Sequence, residues 1–320
     1  CGMEIVLADG RVLNTGFGHY DEAKAAHVYR YGIGPSLDGL FCQSNLGIVT
    51  RIGLWLMPEP EAFRFFFIRL DHDADLDALI VRLRPLRMQV VLMSAVHIGN
   101  DLRILSATGR YPWAQTGGKT PLPDNVRSRL AREAGVGAWN AGGSLTGSTE
   151  HVRASERILR KAVKGMGRVV FVDDRKLAMG GMAANVLRIF GMGKKLDRQL
   201  QALRHNYGLL KGIPTDEPLL GVQWRLRNPP EGGACNPLDV DCGLMWISPV
   251  VPMTGRDARA VLSSVEPIFA RFGFELLATF TLINERAMIA ILNVAFDKSN
   301  AEETIRAVNC YDTAMDALIR

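Results

Sequence analysis

The chain has 320 residues, of which 48% are hydrophobic and 22% charged, with a formal net charge of +5. That is the profile of a soluble globular protein with a substantial core and room for two domains. No apolar run approaches the ~20 residues that a membrane-spanning helix needs, and the basic stretch Arg157–Lys164 lacks the interleaved aromatics of a single-strand binder. Neither a membrane nor a nucleic acid is therefore expected as a partner, and no compartment, bacterial periplasm or cytoplasm, is indicated.

The chain opens on an apolar run, Met3–Leu7, followed by Ala8-Asp9-Gly10 and Arg11–Leu13, which reads as strand, tight turn and strand. Residues 1–58 are punctuated by glycines, and Met57-Pro58-Glu59-Pro60 marks a boundary, because closely spaced prolines stop helix and ladder alike. Beyond it the pattern predicts strands at 63–70, 89–98 and 102–106, with a helix at 76–86 between the first two. A helix at 124–134 follows, then a Gly-rich strand at 138–146, a helix at 151–164 whose basic residues form a solvated face, a strand at 168–172 and a helix near 183–189. In the last third, 243–250 reads as a strand and 255–272 as a helix. Strands at 274–282 and 287–296 join as a hairpin, and a helix at 301–320 closes the order. The fold class expected is α+β, a mainly antiparallel sheet covered by helices. There is no solenoid repeat and no low-complexity tract. Both ends are abrupt, without a lead-in or a C-cap, and read as those of a fragment.

Cys1, Cys42, Cys235, Cys242 and Cys310 form no Cys-x-x-Cys pair and have no nearby His at zinc-ligand spacing, so they read as free thiols or at most one bridge. The run from Asp38 to Thr50 places small and polar residues before Gly47 and the β-branched pair Ile48-Val49. A loop of this type exposes backbone N–H groups and lets a ligand come close at the glycine. It suits a phosphate or a flat heteroaromatic ring, or it is an ordinary turn between strands. No Gly-x-Gly-x-x-Gly or Walker pattern accompanies it.

The stretches 1–11, 34–60, 83–88, 137–140, 212–217 with Trp224, 245–250 and 300–310 resemble, in order, segments of the vanillyl-alcohol oxidase flavoprotein family. The resemblance implies that 1–58 is the carboxyl-side portion of a two-subdomain FAD-binding domain and that 59–320 is a substrate-binding (cap) domain. It places Ser44, Asn45, Gly47, Ile48 and Val49 at the flavin or its ribityl-phosphate arm and Trp246 beside the ring. It implies oxidation of 4-alkylphenols: hydride leaves the benzylic carbon for flavin N5, and water adds to the resulting quinone methide. The family's phenolate-binding groups fall outside residues 1–320. Its covalent anchors fall at Val222 and near Leu244, neither of which can form the link, so non-covalent FAD is implied; Tyr207 and His205 lie too far off to substitute. Thr279 and Asn293 stand where the family carries acids, and Glu217 adjoins a third acidic position, at Pro218. The implied partners are a phenolic substrate, a cytochrome c subunit and further copies in a homo-oligomer. An oxygen-using vanillyl-alcohol or eugenol oxidase, and an inactive fragment without flavin, are the alternatives.

Overall fold

Alternation along Met3–Leu7 buries Ile5 completely and makes this segment the middle strand, β1, of a small sheet. The chain turns at Gly10, which takes the left-handed conformation (φ 83°) that glycine adopts without penalty, and returns antiparallel as β2 (Val12–Asn14). On the other side β1 pairs with β3 (Gly47–Ile52), giving the order β2-β1-β3. The computed structural model describes residues 2–32, 34–189, 203–204, 206–230 and 236–319, leaving aside the side chains of 183–189 and 217. The chain divides into two compact units, Cys1–Glu59, which holds this sheet, and Pro60–Arg320.

The second unit runs β4 (Ala62–Leu70), α1 (Asp75–Met88), β5 (Val96–Asn100), α2 (Asp101–Thr108), α3 (Trp113–Thr116), α4 (Asp124–Ala134), β6 (Trp139–Gly147), α5 (Thr149–Ala162), β7 (Arg168–Val172) and α6 (Asp174–Ile189). It continues with β8 (Cys242–Ile247), β9 (Val250–Pro252), α7 (Gly255–Phe272), β10 (Leu277–Leu282), β11 (Ala287–Asp297) and α8 (Ala301–Ile319). Its eight strands form one sheet in the order β7-β4-β6-β5-β10-β11-β8, with β9 paired to β11 off that path. The pairings are antiparallel throughout. This is the α+β class expected, with its mainly antiparallel sheet.

Because side chains alternate along a strand, the sheet has two unlike faces. One carries Phe66, Ile68, Leu70, Ile98, Ala141, Phe280, Leu292 and Val294, all buried under α1, α5, α7 and α8. These helices each bring an apolar stripe, for example Ala258, Val261, Leu262, Val265 and Phe269 on α7, at the spacing an amphipathic helix needs. Among the described residues, apolar clusters cap the opposite face at its two ends. Leu277 and Ala295 pack under Leu102, Val126 and Trp224 at one end, and Phe65 and Val172 pack under Tyr207 at the other.

Two expected strands are corrected. Residues 102–106 are helical, as part of α2, because the Asn100 side chain caps Arg103 N at 2.9 Å, and Leu102, Leu105 and Ser106 share one buried stripe. The strand expected over 89–98 begins only at Val96. Before it the chain bends through Val90 at φ 59°, and the carbonyls of Leu92, Met93 and Ser94 accept from the Arg87 guanidinium instead of from a ladder. The same guanidinium donates to the Ile283 carbonyl at 2.9 Å, fastening this bend to the β10–β11 turn. Cys42 is an exposed free thiol and Cys310 a buried one, Cys242 is buried with its Sγ 3.5 Å from the Pro237 carbonyl, and Cys1 and Cys235 lie outside the described residues.

Candidate functional site

Strand register brings three of the residues picked from the sequence onto one face. Trp246 on β8 stands opposite Asn293 on β11, which stands opposite Leu277 on β10, and Thr279 lies two residues along from Leu277 on the same side. The face continues across β5, where Gly99 pairs with Thr279 and His97 with Thr281. Among the described residues, this is the side of the sheet between the two end clusters.

The side chains on it are in unusual states for a sheet surface. Trp246 is 60% exposed, a large apolar ring held in the open by an edge strand. Its cross-strand partner Asn293 is only 4% exposed, yet its Nδ2 makes no hydrogen bond among the described residues. A buried amide donor left unpaired costs about 1–3 kcal/mol, and such a group in a native fold calls for a partner. Thr279 is half-buried between them and β5. An open aromatic surface beside an unsatisfied, buried donor fits a flat heteroaromatic ring with polar edge atoms. The fourth residue picked, Glu217, opens a short 3-10 turn, Glu217–Gly221; its side chain lies outside the described residues.

Sequence reasoning missed the polar group beside these residues. The His97 Nδ1 lies 3.0 Å from Thr281 Oγ1. Surrounding protein lowers the pKa of His97 by disfavouring its charged form, and the nearby Arg103 cation pushes it the same way. Arg103 itself rises from the first turn of α2 across the face: a Cβ placed on Gly99 would lie 3.6 Å from its Cγ, and one on Gly221 3.1 Å from its Nη1. It forms no ion pair or side-chain hydrogen bond among the described residues, and desolvation lowers its pKa. The acid next to it on α2, Asp101, is already taken by a bidentate contact from Arg127 at 2.6 and 2.7 Å. Nothing in the local sequence signals this. It follows from the turn into α2, which the apolar run through Leu105 conceals.

The cofactor residues picked from the sequence lie in the first unit. Gly47 opens β3, where a Cβ would come within 2.5 Å of Ile5 Cγ2, so only glycine fits. Just before it Gln43 takes a left-handed conformation (φ 51°), and the Ser44 hydroxyl donates to the Leu40 carbonyl at 2.6 Å and accepts from Leu46 N at 3.3 Å. Ser44 and Asn45 are exposed, and Ile48 is 72% and Val49 37% exposed. The loop is thus a surface turn with accessible backbone and an apolar strand edge.

Of the positions considered for a covalent flavin link, Val222 follows the Glu217–Gly221 turn and Leu244 packs against the end cluster around Leu277. Tyr207 is buried beside Phe65 and Val172, and His205 lies outside the described residues.

No family model matches the chain. It is 34% identical over 321 residues to 1'-carboxy-chondrochloren decarboxylase of Chondromyces crocatus, covering 99% of this chain and 58% of that protein. It is 29% identical over 316 residues to the 4-cresol dehydrogenase (hydroxylating) flavoprotein subunit of Pseudomonas putida, covering 99% of this chain and 54% of that protein. Among solved structures it superposes on p-cresol methylhydroxylase with substrate bound at a TM-score of 0.81 and 28% identity, covering 99% of this chain and 55% of that one. The chain thus spans about half the length of the curated relatives it matches. Its fold is that of the vanillyl-alcohol oxidase class of flavoproteins, as the resemblance implies. Over 99% of its own length it is similar to the 4-cresol dehydrogenase flavoprotein subunit.

Proposed function

We propose that the full-length protein is an FAD-dependent oxidoreductase of 4-alkylphenols, and that the sheet face bearing Trp246, Asn293 and Thr279 receives the flavin ring and the phenol. The observation that carries this reading is the cross-strand pairing of an exposed Trp with a buried Asn whose Nδ2 has no partner among the described residues. Likeness to a 4-cresol dehydrogenase flavoprotein subunit and to p-cresol methylhydroxylase supports it.

When bound, FAD supplies the acceptor for a hydride from the benzylic carbon. The residues of this chain do the rest of the work assigned to them. Trp246 gives a ring its packing surface. Asn293 Nδ2 donates to a polar edge atom and orients water, but an amide cannot take up a proton. Thr279 adds a hydroxyl that helps hold the water which adds to the oxidised phenol. Glu217, at the start of its turn, is assigned the acidic role. Ser44, Asn45, Gly47, Ile48 and Val49 offer backbone N–H groups and a close approach to the cofactor's arm. With Val222 and Leu244 unable to form a link, FAD is held non-covalently. Electrons pass to a cytochrome c subunit, and the protein assembles as a homo-oligomer. The likeness to a decarboxylase favours a second reading, loss of a carboxyl group from a carboxy-bearing substrate on the same face.

The purified full-length protein tests this directly. It is expected to be yellow and, after denaturation and precipitation, to leave the colour in the supernatant. A yellow pellet overturns the non-covalent assignment, and a colourless protein overturns the reading. Anaerobic bleaching by 4-cresol, vanillyl alcohol or eugenol identifies the substrate class. Reoxidation by cytochrome c, and not by oxygen, is expected; the reverse makes it an oxidase. Asn293→Leu, which removes the donor, is expected to slow bleaching by ~100-fold.

A further inference from the structure

We propose that Arg103 is the anion-binding residue of this sheet face, and that the substrate taken there carries a carboxylate at the far end of its 4-substituent. The proposal rests on the oxidoreductase reading above for the phenolic part of the substrate and deepens it for the rest. Its starting point is a cation that no described residue neutralises. The Arg103 side chain passes over Gly99 and ends beside Gly221, two positions where the absence of a Cβ leaves it room. Among the described residues it has no ion-pair or hydrogen-bond partner, and its α2 neighbour Asp101 is occupied by Arg127. A half-buried guanidinium in that condition is costly unless a ligand supplies the missing acceptors.

Position and charge narrow the ligand. Arg103 lies over Gly99, and Gly99 pairs with Thr279, which is one strand across and two residues along from Asn293. By strand spacing the two sites are about 10–12 Å apart. A ring seated between Trp246 and Asn293 does not span that distance, so the group that reaches Arg103 sits on a substituent of the ring. Among the described residues, the polar groups on the strand positions next to Arg103 are His97, which is held toward its neutral form, and the hydroxyls of Thr279 and Thr281. One cation with neutral neighbours suits a monoanion that takes a bidentate guanidinium contact, namely a carboxylate, better than a phosphate dianion.

The test uses the full-length holoprotein and three probes: 4-ethylphenol, 3-(4-hydroxyphenyl)propanoate and 3-phenylpropanoate. Binding is followed by calorimetry, and flavin bleaching separately. Arg103→Met is expected to weaken both carboxylates by roughly 10- to 100-fold while leaving 4-ethylphenol unchanged, and Arg103→Lys to recover part of the loss. The melting temperature of Arg103→Met should not fall, because the residue removed has no partner in the fold; a large fall assigns Arg103 a structural role and overturns the proposal. Equal weakening of all three probes, or no weakening of any, also overturns it. The two readings fail separately. If phenols bleach the flavin but Arg103 is indifferent to the carboxylate, the subsite is wrong and the oxidoreductase stands. If no phenol bleaches it, yet 3-phenylpropanoate binds in an Arg103-dependent way, the anion site stands and the phenol oxidation does not.

Discussion

A histidine ring partly shielded by protein loses some of the water that steadies its charged form, and a cation next door makes that form costlier still. Both act on His97, in that order. Its folded pKa lies below the ordinary value of 6.5, so near neutral pH the unfolded chain binds the proton more readily than the fold does. The stability that a neutral His97 contributes is therefore complete above about pH 6.5 and is lost as pH falls through that value toward the folded pKa. His97→Asn, which keeps a polar group opposite Thr281 but cannot charge, is expected to lose less stability between pH 7.5 and pH 5 than the natural chain. Urea midpoints at the two pH values measure it, and equal losses in the two proteins would refute the assignment. Cys310 shows the same desolvation on an acid: burial pushes its thiol up to about 12, so it stays protonated and unreactive at neutral pH.

At the scale of elements, the hinge between sheet and site is one side chain. Asn100 ends β5 and caps α2: its Oδ1 accepts from Arg103 N at 2.9 Å and from Ala278 N at 3.2 Å, and its Nδ2 donates to the Leu276 carbonyl at 2.8 Å. It thereby fixes where Arg103 leaves the sheet and ties α2 to the start of β10. Asn100→Ala removes a cap and strands buried backbone groups, with an expected cost of about 2–3 kcal/mol in urea denaturation. Asn100→Ser, which keeps a capping oxygen, should recover part of that cost; if Ala and Ser behave alike, the cap is not what holds α2. This junction is also where the sequence misleads. α7 is legible because a long periodic stripe runs into Gly273, and α4 because it ends at Gly135; both glycines are left-handed C-caps. α2 is only eight residues long and follows an apolar run, so local pattern cannot separate it from a strand. Likewise Trp246 and Asn293 can be picked individually by resemblance, but their facing each other depends on the β8–β11 register. An unpaired Arg103 cannot be seen in sequence at all, since lacking a partner is a property of three-dimensional surroundings.

In the second unit one face of the sheet buries the core, and a charged cluster at the sheet's end joins the segments packed around it. Arg225, 1% exposed, donates to Glu275 at 2.6 Å and to Glu303 at 2.9 Å, while Arg227 reaches Glu303 at 3.3 Å. The buried Arg225 meets two buried carboxylates, the partly exposed Arg227 adds a second cation to Glu303, and the rings of Tyr111, Trp113 and Phe274 surround the Arg225 guanidinium at 5.0–5.7 Å. Burial alone would lower the Arg225 pKa, and the two carboxylates more than reverse that. The cluster ties the segment around Trp224 to the α7–β10 junction and to the first turn of α8, where Glu303 has no exposed surface. Such a cluster adds little stability compared with apolar packing of the same shape, but losing one member is expensive because it leaves a buried charge uncompensated. Glu303→Ala is therefore expected to cost about 3–5 kcal/mol in urea unfolding. Glu303→Gln keeps an acceptor for Arg225 Nε and should cost less, and Arg225→Met combined with Glu303→Leu should cost less than the sum of the single changes. Additive losses in that double variant would mean that the two residues do not act as a pair, and that α8 is held to the sheet by its apolar stripe of Ala307, Cys310 and Ala314 alone.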